Sequence, residues 1–362
     1  MPVRLLRPLS AIYSLVTRAR LTAYRRGWFS VSRLPVPVIS VGNLTTGGTG
    51  KTPLVEWVCH VLANEGTPAK RVCILTRGYA RPDPKSQLVV SDGKQILAEA
   101  RLSGDEPYLL AKNLLGIAAV ICNPDRVAAG KWAMENLRSE VFVLDDGFQH
   151  QRLQRDLDIV TVDATNPWGG GRLLPYGRLR EPVAGLSRAG CIVITRSDQV
   201  EEIGSLKHSI RQLATEGRTR SSAPKISQVP VFSSRMVTEK IRTLDDHIAD
   251  FDKQAPFAAF CGIGNPGSFF EHLRREGVTP VLSRSFLDHH HYTPDDLADI
   301  EKSAESHGAK ALVTTAKDAV KLPPASFRLP CFVLDVQISI DDDTRLREMI
   351  RNACLTTRDS GE

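Results

Sequence analysis

Val38-Ile-Ser-Val-Gly-Asn-Leu-Thr-Thr-Gly-Gly-Thr-Gly-Lys-Thr-Pro-Leu-Val-Glu-Trp57 runs from a short apolar segment through a glycine-rich turn into a helical pattern. The apolar segment predicts a buried strand, and Pro53 falls just inside the first helical turn, where its missing N–H costs nothing. In this arrangement the backbone N–H groups of the turn and the N-terminus of the helix bind phosphate. The stretch therefore predicts a phosphate-binding loop.

The loop differs from the common pattern G-x-x-x-x-G-K-[ST] at its first position, which is Thr45. The glycines that follow still allow the turn to bring its N–H groups close to a phosphate. Lys51 is expected to reach the β- and γ-phosphates of a nucleotide, and the Thr52 hydroxyl is expected to bind Mg²⁺. The predicted nucleotide-binding residues are Thr45, Thr46, Gly47, Gly48, Thr49, Gly50, Lys51 and Thr52.

Two acidic residues, Asp145 and Asp146, follow the apolar segment 141–144. In enzymes with a phosphate-binding loop, the end of such a strand faces the Mg²⁺, and a carboxylate there holds the metal directly or through water. Both acids are candidate metal ligands, and the sequence does not distinguish between them. Acids that simply end a strand are the alternative interpretation.

Apolar segments alternate with helical patterns at 38–41, 72–76, 116–122, 141–144, 157–162 and 191–195. Continuous apolar strands separated by helices predict a parallel sheet that is covered by helices on both faces. The predicted fold class is therefore α/β, with the parallel sheet of a P-loop NTPase.

Two isolated apolar segments, 229–232 and 330–336, flank a second, smaller α/β unit. We interpret them as a two-stranded hinge that carries the chain out to a second domain and back. The expected parts are a basic amphipathic helix over 1–30, a P-loop domain over 31–224, and the hinge with the smaller domain over 225–337. The tail, 338–362, is expected to pack back on the first domain.

The first 33 residues contain seven arginines and no acidic residue, and apolar side chains lie between the arginines. The apolar runs are shorter than the roughly 20 residues of a membrane-spanning helix, and arginines interrupt them too often for a signal peptide. A basic amphipathic helix suits an anionic membrane surface. A helix packed on the body of the protein is the alternative, and no motif indicates a nucleic-acid partner.

The seven cysteines form no C-x-x-C pair, and most lie in apolar strand-like segments. This pattern predicts buried, reduced thiols. Reduced thiols favour a reducing compartment.

Asp105 and Glu106 are adjacent carboxylates just before a predicted helix. Acids in this position can cap the helix, or one of them can act as a general base in phosphoryl transfer. Further along, Asp288 precedes a run of three histidines that begins with His289. Consecutive residues rarely face one metal ion, so we interpret Asp288 and His289 as an acid–imidazole pair and not as a metal site. An ordinary surface loop without a catalytic role is the alternative interpretation. His150 follows the two metal-ligand candidates closely enough to border the same site.

The segment 169–182 is glycine-rich and basic. Loops over the carboxyl edge of a parallel sheet carry binding residues, and arginines there suit an anionic substrate. Arginines exposed to solvent are the alternative.

Taken together, seven segments resemble one family in order and over almost the whole chain. They are Val-Gly42-Asn-Leu-Thr-Thr-Gly-Gly-Thr-Gly-Lys-Thr-Pro, Thr76-Arg-Gly-Tyr79, Gly104-Asp-Glu-Pro, Leu144-Asp-Asp-Gly-Phe-Gln-His, Gly171-Arg-Leu-Leu-Pro-Tyr-Gly-Arg-Leu-Arg-Glu-Pro, Gly264-Asn-Pro and Asp288-His289. The chain resembles the tetraacyldisaccharide 4'-kinases of lipid A synthesis. The resemblance implies an ATP- and Mg²⁺-dependent enzyme at the cytoplasmic face of a bacterial inner membrane. It would phosphorylate the 4'-hydroxyl of a tetraacylated glucosamine disaccharide 1-phosphate.

The resemblance also implies roles for individual residues. Asp105 would be the general base, assisted by His289, and the other catalytic residues would be Glu106 and Lys51. The lipid substrate would contact Arg126, His150, Arg180 and Glu181. One departure is Ala316, which stands where the family pattern has a glutamate.

A P-loop switch ATPase or GTPase that transfers nothing to an acceptor is the alternative function. Partitioning-type ATPases carry a lysine at the position of Thr46, which counts against that class. Thr195-Arg-Ser-Asp198 resembles the base-reading segment of GTPases, but it has Arg in place of Lys. A switch also needs no base on the acceptor side, so the Asp105–Glu106 pair favours transfer.

Overall fold

The structure, a computed structural model, describes residues 3–64, 71–79, 81–218 and 228–355. Its helices are α1 (Val3–Arg25), α2 (Lys51–Asn64), α3 (Ala100–Ser103), α4 (Asp105–Asn113), α5 (Arg126–Leu137), α6 (Ile203–Arg218), α7 (Pro266–Arg275), α8 (Pro294–Ser306), α9 (Ala316–Ala319) and α10 (Asp343–Leu355). Its strands are β1 (Val38–Asn43), β2 (Val72–Thr76), β3 (Leu88–Ser91), β4 (Ala118–Cys122), β5 (Val141–Asp145), β6 (Leu157–Asp163), β7 (Cys191–Thr195), β8 (Val231–Thr243), β9 (Phe257–Cys261), β10 (Leu282–Ser285), β11 (Ala311–Thr315) and β12 (Cys331–Ile340).

Within the described residues the strands form one sheet, in the order β10-β9-β11-β12-β8-β7-β6-β1-β5-β2-β4-β3. The strand before the phosphate-binding loop, β1, lies between β5 and β6 and runs parallel to both. The parallel pairing continues through β2, β4 and β7. The predicted α/β class with a parallel P-loop sheet is thus confirmed. The edge strand β3 is antiparallel to β4, and its four residues, of which two are buried, have no clear strand signal in the sequence.

Two long strands, β8 and β12, join the two ends of this sheet. The first residues of β8, Val231–Ser233, pair in parallel with β7, and the rest of β8 pairs with β12 in antiparallel register. We call the part built on β1–β7 the N-terminal half and the part built on β9–β11 the C-terminal half. The hinge and the domain limits stay predictions, and the boundary at 224/225 lies outside the described residues.

Apolar side chains fill both faces of the sheet. On one face of the N-terminal half, Leu54 and Val58 of α2 share a core with Leu346 and Ile350 of α10. The C-terminal helix therefore lies against the helix that follows the phosphate-binding loop. On the other face, α5 packs on the same strands, and the C-terminal half likewise has a core on each face. All seven cysteines are buried and none is in a disulfide, as the sequence predicts.

Parallel strands bring their carboxyl ends to one edge of the sheet. In the N-terminal half these ends include four polar residues, Asn43, Asp145, Asp163 and Thr195. Ligands bind outside the carboxyl ends of strands in open α/β sheets. The polar residues at these four positions therefore mark the edge at which a binding site is expected.

Candidate active site

A cleft of about 1430 Å³ lies at this edge, between the two halves of the sheet. Its lining combines the phosphate-binding loop, the start of α4, the end of β5, the end of β11 and one face of α1. All predicted nucleotide, metal and substrate residues line it except Thr45. Among the predicted catalytic residues, Lys51, Glu106 and His289 line the cleft, whereas Asp105 lies behind His289 with 10% of its side chain exposed.

The phosphate-binding loop is held from outside by neighbouring strand ends. The Asn43 amide donates to the Thr49 hydroxyl at 2.8 Å, and the Thr195 hydroxyl donates to the Thr49 carbonyl at 2.9 Å. The Arg196 guanidinium donates to the Gly48 carbonyl at 2.9 Å. The last two bonds occupy loop carbonyls and the first occupies a loop hydroxyl, so contacts within the protein hold the conformation of the loop.

Lys51 and the two acids after β5 form one charged cluster. Lys51 Nζ lies 3.6 Å from Asp146 Oδ1, and Arg180 Nη1 donates to Asp146 Oδ2 at 2.6 Å. Asp145 is turned the other way and accepts from the Thr76 hydroxyl at 2.9 Å. The two adjacent acids therefore have different partners.

The pKa values of the two acids move in opposite directions. Burial, with Glu106 and Asp146 nearby, raises the pKa of Asp145 to about 6. Burial also disfavours ionisation of Asp146, but Lys51 and Arg180 outweigh it and lower its pKa to about 2. At neutral pH both groups are carboxylates.

The donors at this point suit a magnesium ion. Mg²⁺ prefers oxygen ligands, and one or two carboxylates commonly hold it together with phosphate oxygens. Asp145 and Asp146 supply such oxygens, and Thr52 supplies a hydroxyl in the same cleft. Asp146 Oδ1 is also buried without a hydrogen bond, with the Lys51 ammonium 3.6 Å away, so this oxygen already faces a positive charge.

The opposite wall of the cleft joins the two halves through charged groups. Gly104 occupies the N-cap of α4, so Asp105 and Glu106 lie in the first turn and do not cap the helix. His289 Nδ1 lies 3.3 Å from Asp105 Oδ2. Lys317 Nζ donates to Glu106 Oε1 at 2.9 Å. His289 also has a positive φ of 60°, a backbone conformation that residues other than glycine rarely adopt.

Both carboxylates on this wall are stabilised in their ionised form. Burial opposes ionisation of Asp105, but the hydrogen bond from His289 and the charge of Lys321 outweigh it and lower its pKa. Burial likewise opposes ionisation of Glu106, and Lys317 outweighs it, so the pKa of Glu106 is also lowered. An ionised Asp105 can accept a proton.

The four predicted substrate residues meet along the basic side of the cleft. Arg126 is 5% exposed, and its Nε has no hydrogen-bond partner. His150 Nε2 is also buried without a partner. Glu181 is almost fully buried and accepts from the Gln149 amide at 2.9 Å. Arg126 and His150 thus each have a nitrogen atom that is available for a hydrogen bond, whereas Glu181 orients Gln149.

Helix α1 closes one side of the cleft. Its Ser10 hydroxyl donates to the Leu173 carbonyl at 2.9 Å, and its Tyr13 hydroxyl donates to the Arg180 carbonyl at 2.9 Å. Ile12 and Leu15 are 60% and 70% exposed. The helix thus packs on the basic loop with one face and leaves apolar side chains outside. No helix in the described parts of the chain combines the length and apolar character needed to cross a membrane.

Three polar residues have roles that the sequence patterns did not identify. Arg196 is directed toward the phosphate-binding loop. Its guanidinium donates to Asp163 at 2.5 Å as well as to the loop carbonyl of Gly48. Asn265, from the C-terminal half, donates to the same carboxylate at 3.2 Å. Asp163 is thereby a link between the phosphate-binding loop and the C-terminal half, and its position at the carboxyl end of β6 is the signal that could have identified it.

The three histidines of 289–291 do not converge. His289 faces the cleft, whereas His290 bonds to Asp296 at 3.1 Å. Among the described residues no cluster of three His, Cys, Asp or Glu side chains could hold a metal ion.

A family model described as tetraacyldisaccharide-1-P 4'-kinase matches residues 2–355. The chain belongs to this family. A tetraacyldisaccharide 4'-kinase of Geobacter metallireducens is 40% identical over 90% of this chain and 90% of its own length. One of Desulfotalea psychrophila is 37% identical over 96% of this chain and 95% of its own length.

A solved tetraacyldisaccharide-kinase structure also matches the fold. It is the crystal structure of LpxK from Aquifex aeolicus in complex with ATP, with a TM-score of 0.74 and 32% identity, and the match covers 98% of this chain and 100% of that chain. The family resemblance and the fold class expected from the sequence are confirmed. The chain is accordingly a phosphotransferase of this family.

The buried His150 predicts an acid-dependent loss of stability. Burial and the nearby Arg126 and Arg155 lower its pKa from 6.5 to about 4. Between these pH values the unfolded chain takes up a proton at this position and the folded chain does not, so stability falls as the pH is lowered. His150→Gln removes this contribution, and its free energy of unfolding should fall less between pH 7 and pH 5 than that of the parent. Urea unfolding at both pH values measures the difference, and equal losses would contradict the prediction.

Proposed function

We propose that the protein transfers the γ-phosphate of ATP to the 4'-hydroxyl of a tetraacylated glucosamine disaccharide 1-phosphate, a lipid A precursor, and so forms lipid IVA. The observation that carries the proposal is the composition of the cleft. A phosphate-binding loop lines one side, and the Asp105–His289 pair lies on the other. Membership of the 4'-kinase family supports the choice of substrate.

On the nucleotide side, the loop from Thr45 to Thr52 holds the phosphates of ATP. The ATP bound in the Aquifex aeolicus relative supports this assignment. Lys51 lies at the start of α2, where its charge and the helix N-terminus both favour the β- and γ-phosphates. Mg²⁺ held by Thr52, Asp145 and Asp146 neutralises negative charge on the phosphate oxygens when it is bound. In its absence Lys51 and Arg180 share Asp146.

On the acceptor side, Asp105 removes the proton of the 4'-hydroxyl. The oxygen of that hydroxyl forms a bond to the γ-phosphorus as the bond from phosphorus to the ADP oxygen breaks. Asp105 can take this role because it is ionised at neutral pH, since the hydrogen bond from His289 and the charge of Lys321 outweigh burial and lower its pKa. His289 assists by holding Asp105 Oδ2 and by forming the part of the pair that faces the cleft. Glu106 extends the acidic wall beside it.

The basic side of the cleft binds the lipid disaccharide. Arg126 and His150 have unpartnered buried nitrogen atoms that suit the phosphate and hydroxyl groups of a sugar phosphate. Arg180 contacts both Asp146 and the Gln149 amide oxygen, so it lies between the metal side and the sugar side. Glu181 keeps Gln149 in place.

Helix α1 rests on the cytoplasmic face of the bacterial inner membrane. Its exposed apolar residues would enter the interface, and its arginines would meet anionic headgroups. This placement brings the mouth of the cleft, which α1 lines, to the surface in which the acyl chains are held. The two halves of the sheet would open and close around the substrates by bending of β8 and β12, as two domains over 31–224 and 225–337.

The transfer itself is tested with ATP labelled in the γ-phosphate, Mg²⁺ and the lipid disaccharide in detergent. Label should appear in the lipid for the parent protein. Asp105→Ala should lower kcat roughly 10²-fold or more with little change in ATP affinity, because only the base for the proton is lost.

Two results would contradict this function. The first is release of labelled free phosphate with none in the lipid. The second is loss of ATP binding in the Asp105 variant, which would place Asp105 on the nucleotide side. Glu301→Gln serves as the control for expression and purification of the variants, because Glu301 lies on α8 and does not line the cleft.

The membrane contact of α1 is tested with the double variant Ile12→Asp, Leu15→Asp. Two acids on the exposed apolar face should weaken sedimentation with anionic vesicles by roughly tenfold or more, because apolar burial and attraction to anionic lipid are both lost. The matched control is Leu355→Asp on α10, where the leucine is 59% exposed. Equal sedimentation of parent, double variant and control would show that α1 does not bind the membrane.

A further inference from the structure

We propose that Lys317 is a positioning residue, which holds His289 in the tautomer that carries its proton on Nδ1, facing Asp105. The proposal rests on the phosphoryl transfer proposed above and adds a residue to its acceptor side. Lys317 lies on α9, in the C-terminal half, with 16% of its side chain exposed.

The ammonium group of Lys317 stands at the centre of the charged wall. Its Nζ is 2.9 Å from Glu106 Oε1, 3.1 Å from Asp288 Oδ1 and 3.4 Å from His289 Nε2. The other groups that surround the imidazole are the Asp105 carboxylate at 3.3 Å and the Tyr79 ring, whose centroid is 6.0 Å away. A second ammonium, Lys321 Nζ, lies 3.9 Å from Asp105 Oδ2.

The chemistry of an ammonium group decides which imidazole nitrogen is protonated. An ammonium has three N–H donors and no acceptor. His289 Nε2 can therefore take part in the contact with Lys317 only as an acceptor, without a proton of its own. A neutral imidazole then carries its proton on Nδ1. That nitrogen faces Asp105 Oδ2, so the Nδ1–H donates to the carboxylate.

Lys317 also binds the Asp288 carboxylate, which would otherwise favour the tautomer of His289 with its proton on Nε2. Asp288 Oδ1 lies 3.9 Å from His289 Nε2 and is held by Lys317. Without the lysine, this carboxylate is free to accept a hydrogen bond from Nε2–H. The Nδ1 lone pair would then face the Asp105 carboxylate, and Asp105 would lose its donor.

The tautomer matters for the base. The Nδ1–H bond stabilises Asp105 as a carboxylate and occupies Oδ2, which leaves Oδ1 for the proton of the acceptor hydroxyl. Because α4 belongs to the other half of the sheet, His289 reaches Asp105 and Lys317 reaches Glu106 only when the halves are together. Lys317 thus holds the imidazole in the tautomer that donates to Asp105 when the cleft closes.

The test is long-range ¹H–¹⁵N NMR of the full chain with ¹⁵N-labelled histidine at about pH 8, without nucleotide. The His289 signals are assigned by their absence in His289→Gln. The parent should show Nδ1 protonated and Nε2 unprotonated. Lys317→Met, of similar length but without charge or donors, should move His289 toward the Nε2–H form. Lys317→Arg keeps the charge and the N–H donors, so most of the His289 population should remain in the Nδ1–H form.

Kinetics supply the second readout. Lys317→Met should lower kcat roughly 10- to 100-fold with the KM for ATP within about twofold, and Lys317→Arg should recover part of the loss. An Nε2–H pattern in the parent, or an unchanged Nδ1–H pattern in a folded Lys317→Met protein, would overturn the proposal. If Lys317→Met does not fold, the parent and Lys317→Arg spectra decide it. A retained Nδ1–H pattern without any transfer to lipid would refute the proposed function and leave the tautomer assignment standing.

Discussion

The pairing of Asp105 and Glu106 with His289 and Lys317 is the contact on which the site depends. Each half of the sheet contributes two of these residues, so neither half has the complete wall by itself. The two carboxylates are partly buried, and a buried charge is costly unless it is paired. The charges of Lys317 and Lys321 and the hydrogen bond from His289 therefore stabilise the ionised acids, and the proposed general base has these partners only where the two halves meet.

A second link joins the halves on the nucleotide side. Asp163 accepts from Arg196, which also binds the phosphate-loop carbonyl of Gly48, and from Asn265 of the C-terminal half. The backbones approach closely here, since a Cβ at Gly264 would lie 2.7 Å from the Gly48 amide nitrogen. The phosphate-binding loop and the wall that holds Asp105 are thus both connected to the C-terminal half. This arrangement is consistent with a transfer reaction in which both substrates are enclosed together.

Much of this organisation could be predicted from the sequence because its signals are local. The phosphate-binding loop, the strand that ends in Asp145 and the start of α4 each follow from adjacent residues. Contacts between distant segments could not be predicted in this way. Lys317 lies 211 positions from Glu106, and no periodicity relates them. The Arg196 segment was likewise read by analogy with a base-reading strand, whereas its positive φ of 55° and burial turn the guanidinium toward Asp163.

The central claim is that Asp105 and His289 act as one unit in proton removal. It is tested most directly by single-turnover rates of phosphate transfer to the lipid disaccharide for Asp105→Asn, His289→Gln and the double variant, at saturating ATP and Mg²⁺. If the residues act together, the double variant should be no more than about threefold slower than Asp105→Asn alone, because the second substitution removes a group whose partner is already lost. Multiplication of the two single effects in the double variant would show that they act independently and would contradict the account.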